Sequence, residues 1–433
     1  MGCVCAFGVI VVSVSFMGKV KLNFVKNIFL SGISGGLSLA ITAIIVYMVG
    51  GEQYALFVLG LAVGNILVPF VNMGSDRTLI RDLMAVSLVE DRSKLISKNL
   101  MFRLYVIIVI VLCLGVGSYI CVDDVWQAIT LACVGMWVSL QGVYPYSLYD
   151  FIKLTTKQNI QTVMERLVAI VLIASFFLFD DKWRQIWILA VLLLLTRVCT
   201  LIWQYRVWMS LSHGITLHFR FTLVGAVETI RKGGLLTIVQ LSSACVAYVN
   251  QIYLGISDNH TELAAYGLIF QVASFVLVFQ SQALRLFQTN IAEVCSQRLN
   301  LLSSLSKHLG FITIISAVFS LSAWVAIYLA SYMLAEPMFA LMPVLAIPIN
   351  IWIVVVGIGL ISSQYLVGLK GEEKYLKINV SGGLIMVVLG GLLVPSYGAL
   401  AAGILLLVIH GCMVGAQVYS VISLFHERVD EDK

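Results

Sequence analysis

Charge is scarce in this chain. Only 11% of its 433 residues are Asp, Glu, Lys or Arg, against about 25% in a soluble domain. Intrinsic disorder, which needs high charge and low hydrophobicity, is excluded. With only 6 prolines, linker-like and collagen-like sequence is excluded too. The 9 cysteines contain no CxxC, no metal-ligand spacing occurs, and no Gly-Lys-Ser/Thr loop is present to hold a nucleotide. The cysteines therefore read as small buried hydrophobes. No metal, no cofactor and no ATP hydrolysis are expected.

What the chain has in abundance is apolar surface. Hydrophobic residues make up 60% of it, and its mean hydropathy is +1.00. Soluble domains hold about 45–50% apolar residues, so a water-soluble globule is excluded. A polytopic membrane protein remains. Each span takes about 20 apolar residues, so twelve would use roughly 250 and leave only short loops.

The apolar runs are continuous, which predicts helices; a transmembrane barrel would alternate polar and apolar residues in ten-residue pieces. Spans are expected near 28–49, 54–73, 99–121, 125–146, 164–180 and 185–204. A second set is expected near 234–256, 262–283, 309–334, 339–364, 377–394 and 397–424. The domain layout follows: a leader at 1–27, six-helix bundles at 28–204 and 234–424, a linker at 205–233, and a tail at 425–433. The first sixteen residues lack the basic start and cleavage site of a signal peptide. Ala6 also breaks the myristoylation pattern that Met-Gly-Cys invites. Met17 is the expected biological start.

Basic residues set the orientation, because Lys and Arg accumulate on the cytoplasmic side. Of the 27, 24 fall in the termini and alternate connections, including Lys19 to Lys26, Arg77 to Arg103, and Arg206 to Lys232. Only Lys182 and Arg184 fall on the other side, and Arg197 lies within a span. Both termini are therefore expected in the cytoplasm, with outer connections of only a few residues. The net charge of +5 marks topology, and secondly attraction to anionic membrane lipids, rather than nucleic-acid binding.

Two stretches look related. Spans 28–73 and 234–283 each follow a basic cluster and turn at an acidic residue with a tyrosine close behind: Glu52 and Tyr54, then Glu262 and Tyr266. Six spans per half is an even number, which implies a pseudo-two-fold axis along the membrane normal.

The motifs Asn23-Phe24-Val25-Lys26-Asn27, Gly50-Gly51-Glu52-Gln53-Tyr54-Ala55-Leu56-Phe57 and Asn72-Met73-Gly74-Ser75-Asp76-Arg77, with Arg81, carry a resemblance. The sequence resembles the bacterial polysaccharide and O-antigen flippases of the multidrug/oligosaccharidyl-lipid/polysaccharide exporter superfamily. Ala55 departs from the family's usual Tyr-Gly. The resemblance implies an all-α fold of twelve transmembrane helices in two bundles, seated in the bacterial inner membrane. It implies a non-enzymatic carrier of a polyprenyl-pyrophosphate-linked oligosaccharide for lipopolysaccharide or related surface glycans. Its partners would be that lipid-linked oligosaccharide, membrane lipids and other polysaccharide assembly proteins.

Charged residues within spans cost about 2.5–3.5 kcal/mol each on insertion scales, so they are functional candidates. Arg197 lies nine residues above Arg206, about 13 Å along a helix and beyond easy snorkelling. It reads as cavity-facing, or as paired with Glu165. Arg77, Arg81, Arg103, Arg166 and Arg285 join it as candidate phosphate ligands, since guanidinium binds phosphate bidentately. Topology is the structural alternative for Arg77, Arg81 and Arg285. Tyr248, Asn250, Gln251 and Tyr253 are candidate sugar contacts, with packing between helices as their structural alternative. Glu165 is the candidate coupling group, and Pro69, Pro343 and Pro348 are candidate hinges. His410 reads as a packed residue.

Two rivals stay open. A multidrug antiporter of the same fold needs acids deep in the membrane, and Glu165 is the only plausible one. A glycan polymerase or ligase needs a sizeable outer loop, and the outer connections are tiny.

Overall fold

The structure is a computed structural model. It describes residues 22–74, 79, 82–86, 88–144, 148–149, 154–175, 185–212, 223–257, 259–297, 301–333 and 337–431. Met17, Arg77 and Arg81 lie outside the described residues, as do positions 213–222 of the expected linker.

Among the described residues the chain is all-helical. In chain order the helices are α1 (Leu22–Asn72), α2 (Val89–Cys121), α3 (Val125–Ser139), α4 (Thr155–Ser175) and α5 (Ile186–Leu211). Then come α6 (Leu223–Ile256), α7 (His260–Gln297), α8 (Leu301–Met333), α9 (Pro337–Gly368) and α10 (Glu372–Glu431). A short 3-10 turn, Leu140–Val143, extends α3. Two of these helices are double. Backbone at Gly50 (φ 74°, ψ 171°) breaks α1, and Gly398 (φ 69°, ψ −158°) breaks α10. Only glycine adopts such angles without strain. The two breaks turn ten helices into twelve membrane-crossing segments.

Burial runs opposite to that of a soluble protein. On α2, Ile108, Leu112, Val116 and Ile120 are exposed at every fourth position, and Leu384, Val388 and Leu392 repeat the pattern on α10. These stripes face lipid. Nine helices among the described residues are long and apolar enough to cross a bilayer. The exception is α4, whose inward face carries the buried polar residues Gln158, Gln161 and Glu165. A helix can cross while polar on one face if that face is covered by protein.

The first half comprises α1 to α5 and the second α6 to α10. Helix α1 is the seam. It packs against α3 and α4 of its own half and against α6 and α7 of the other. Tyr54 and Tyr266, matched in the sequence repeat, are both fully buried, and each stacks on a phenylalanine of its own helix, Phe57 and Phe270. The helices overrun the bilayer. At 34 residues, α6 is about 51 Å long against a hydrocarbon core of about 30 Å. Its first turns, with Glu228 and Lys232, therefore project at the end of the bundle where Lys26, Lys98 and Lys374 also lie. We call this the basic end.

The helices run through Pro69, Pro343 and Pro348, and the non-helical backbone inside α1 and α10 falls at Gly50 and Gly398, at the turns expected between spans. The expected linker is partly helical: Tyr205 to Leu211 continue α5, and Leu223 to Gly233 begin α6.

Candidate functional site

A cavity of about 190 Å³ lies on the seam between the halves. The first half lines it from α1, α3 with its 3-10 extension, and α4; the second half lines it from α6 and α7. Its polar wall is formed by Ser38, Thr42, Asn65, Gln141, Arg166, Tyr248, Gln271 and Ser274, and its aromatic wall by Phe57, Trp137 and Phe275. Helical spacing brings these together. Gly35, Ser38 and Thr42 share one face of α1, while Gln271, Ser274, Phe275 and Val278 share one face of α7.

Arg166 is the only formally charged side chain among the described residues of this wall. Its Nη1 donates to the Ser34 carbonyl, which steers the guanidinium across to α1. The hydroxyls are held locally. Thr42 Oγ1 donates to Ser38 O at 3.1 Å, and Ser274 Oγ donates to Phe270 O at 2.8 Å. Asn65 Nδ2 donates to Leu61 O at 2.8 Å. Each of these groups keeps acceptor capacity for a ligand.

Behind that wall lies a smaller cavity of about 50 Å³, sharing Ser38, Ile41, Trp137, Gln141 and Arg166 with the larger one. Its inner side holds Glu165 and Arg197. Arg197 Nε lies 3.1 Å from Glu165 Oε1, and both side chains are more than 90% buried. Tyr144 closes the triangle. Its hydroxyl donates to Glu165 Oε2 at 2.7 Å and accepts from Arg197 Nη1 at 2.9 Å. The guanidinium also lies 5.0 Å from the Trp137 ring centroid and 5.2 Å from that of Tyr144. Both are cation–π distances. The pair offsets its own charges within the site.

The other candidates separate. Arg103 is buried and donates from Nη1 to Gly142 O at 2.9 Å and to Tyr144 O at 3.4 Å. It ties down the 3-10 turn that presents Tyr144, rather than lining the cavity. Arg285 sits on α7 and its side chain lies outside the described residues. Of the tyrosine and amide cluster on α6, Tyr248 reaches the cavity, edge-on to Phe270. Asn250 Nδ2 instead donates to Ala402 O at 3.0 Å and Tyr253 Oη to Val387 O at 2.9 Å, tying α6 to α10. Gln251 is buried. At 100° per residue, positions 248 to 253 point all round a helix, so one cavity cannot take all four.

Trp137 and Phe275 were not singled out by sequence. The signal was present: Trp137, Gln141 and Tyr144 recur at helical spacing and carry one aromatic–amide stripe into the site.

Comparison with known families now decides the class. Residues 23–287 match the family model described as polysaccharide biosynthesis protein. The chain belongs to that family. The match covers the whole first half and the α6–α7 wall, and so every described residue of the cavity. No curated protein sequence matches the chain.

Solved structures show the same fold at low identity. Lipid II flippase MurJ, in an inward closed conformation, superposes with a TM-score of 0.64 at 12% identity, over 94% of this chain and 89% of MurJ. An inward-facing multidrug resistance MATE family transporter of the MOP superfamily gives 0.61 at 15%, over 95% and 97%. A MOP superfamily transporter from Pyrococcus furiosus, described by the reverse polarity of its binding pocket, gives 0.56 at 14%, over 93% and 95%. The polysaccharide family member thus has the fold seen in these solved membrane transporters and in the flippase.

Proposed function

We propose that the protein flips a polyprenyl-pyrophosphate-linked oligosaccharide, an O-antigen or related repeat unit, across the bacterial inner membrane. The cavity's chemistry carries this reading: an arginine on the wall, set among amides, hydroxyls and aromatic rings. Arg166 offers the charge-assisted bonds a diphosphate takes. Gln141, Asn65 and Gln271 offer donors and acceptors to sugar hydroxyls. Trp137, Phe57 and Tyr248 offer flat faces for sugar rings. The polyprenyl tail stays in lipid while the two halves rock about the α1 seam and expose the cavity to each side in turn. Both termini and the basic end face the cytoplasm in this reading, as the lysine and arginine distribution requires.

A cation antiporter of the same fold fits less well. It needs a free acid in the cavity, whereas Glu165 is neutralised by Arg197 and bonded to Tyr144.

The test is complementation in a strain whose surface glycan depends on this protein. Arg166→Ala should abolish or strongly reduce surface glycan while the lipid-linked unit accumulates inside. Loss of one charged contact, about 1.5–3 kcal/mol, weakens binding roughly 10- to 100-fold. Normal glycan display by a stably expressed Arg166→Ala variant would overturn the reading.

A further inference from the structure

Two acids and two lysines outside the cavity bind the halves together at the basic end. Lys232 on α6 lies 3.3 Å from Asp82 Oδ2 of the first half and 3.2 Å from Glu228 Oε1 on its own helix. Glu228 in turn is ion-paired with Lys98 on α2. The chain alternates in sign across the seam: Asp82, Lys232, Glu228, Lys98. Under it lies a cleft of about 30 Å³ edged by Asn99 and Thr229.

The backbone is seated at the same place. Met73 (φ 47°) and Gly74 (φ 59°) end α1 in the left-handed region, against the turn of α6 that holds Gly233. A Cβ added to Gly233 would lie 1.9 Å from the Met73 carbonyl oxygen, so only glycine permits this approach. Thr237 Oγ1 lies 3.3 Å from Met73 Sδ one turn further on. Tyr248 is sixteen residues beyond Lys232, so the cavity lies about 24 Å up the same seam.

We propose that these four charges, seated on the Gly233 contact, form a latch that closes the basic end and must break for the cavity to open there. The inference rests on the transporter reading above, because it assigns the latch to one step of alternating access. Pairs this exposed are individually weak, which suits a contact broken once in every cycle. Lys98 first and then Lys232 hold the Glu228 carboxyl below its usual range, so the latch stays charged near neutral pH and is not a proton switch. Coming from different connections of the two halves, the four residues carry no sequence motif that joins them.

Accessibility labelling tests it without any substrate. In a background with the nine native cysteines replaced, Ser274→Cys places a thiol in the cavity wall. A membrane-impermeant maleimide is added to inverted vesicles, which present the cytoplasmic face. Lys232→Glu should speed labelling by roughly three- to tenfold, the scale of two exposed pairs lost together. Gly233→Ala should speed it by an independent, steric route. Inverting all four charges (Asp82→Lys, Lys98→Glu, Glu228→Lys, Lys232→Glu) restores every pair and should return the rate towards that of the parent. Labelling of Lys232→Glu at the parent rate would overturn the latch, as would a fourfold inversion that labels as fast as Lys232→Glu. Since no glycan is present, a failure here is distinct from a failure to flip substrate.

Discussion

Arg197 and Glu165 show how a buried charge survives in this protein. They are 32 positions apart and on different helices, yet they meet at 3.1 Å with Tyr144 bonded to both. Removing one partner leaves the other charged and buried, which costs about 3–5 kcal/mol. Arg197→Ala or Glu165→Ala should therefore lower the melting temperature of the detergent-solubilised protein markedly. The double variant Glu165→Gln with Arg197→Met should recover most of that loss, because a buried pair contributes little beyond its own compensation. A double-variant loss equal to the sum of the two single losses would mean that the pair is not coupled. Sequence alone marked Arg197 as exceptional, a charge deep inside an apolar run, and named Glu165, at the start of its span, as a partner it could reach. Whether Arg197 faced the cavity or a partner depended on how α4 and α5 pack, and no local pattern encodes that. Arg103, one turn into its span, read as a candidate phosphate ligand within snorkelling reach of the cytoplasmic side, and neither its burial nor its clamp on the turn before Tyr144 was legible.

The elements were legible wherever apolar runs were long, and the two breaks fall within a few residues of the turns expected after 49 and after 394. Helical backbone runs through the candidate hinges Pro69, Pro343 and Pro348 and is left at Gly50 and Gly398. A proline's ring tells only that one hydrogen bond is missing, whereas a positive φ needs a residue without Cβ. Gly398 is further fixed by Glu262, whose Oε2 accepts from the Ala399 N–H at 2.5 Å, and a Cβ at Gly398 would lie 2.1 Å from that oxygen. Glu262 thus caps the last transmembrane segment from a neighbouring helix. Glu262→Ala should destabilise by about 0.5–2 kcal/mol, the range of a lost helix cap. Gly398→Ala should cost more, about 1–3 kcal/mol from backbone strain, with the displaced carboxylate added. Thermal melts of both variants check the order. Helix α4 was the hardest element to read, because the face that makes it polar is the one that builds the site.

At the scale of the molecule, twelve segments and two halves were readable from hydropathy and the lysine and arginine distribution, because lipid imposes both. The seam was not readable. Which helices of one half meet the other is decided by close contacts such as that of Gly233 with Met73, and these are properties of packing. Reporter fusions at residues 153, 213 and 298 should report the cytoplasmic side, and fusions at 123, 182 and 335 the outer side. A reversed pattern would remove the orientation on which the direction of transport rests.

The central claim is that a cationic cavity between the halves carries a lipid-linked glycan across the bilayer. Its most direct test is purified protein in liposomes with a labelled polyprenyl-diphosphate oligosaccharide, scored by protection of the label from an external glycan-modifying enzyme. The account predicts rapid loss of that protection difference between leaflets with the parent protein, and little with Arg166→Ala. Equal scrambling by the parent and by Arg166→Ala, or none by the parent, would contradict it.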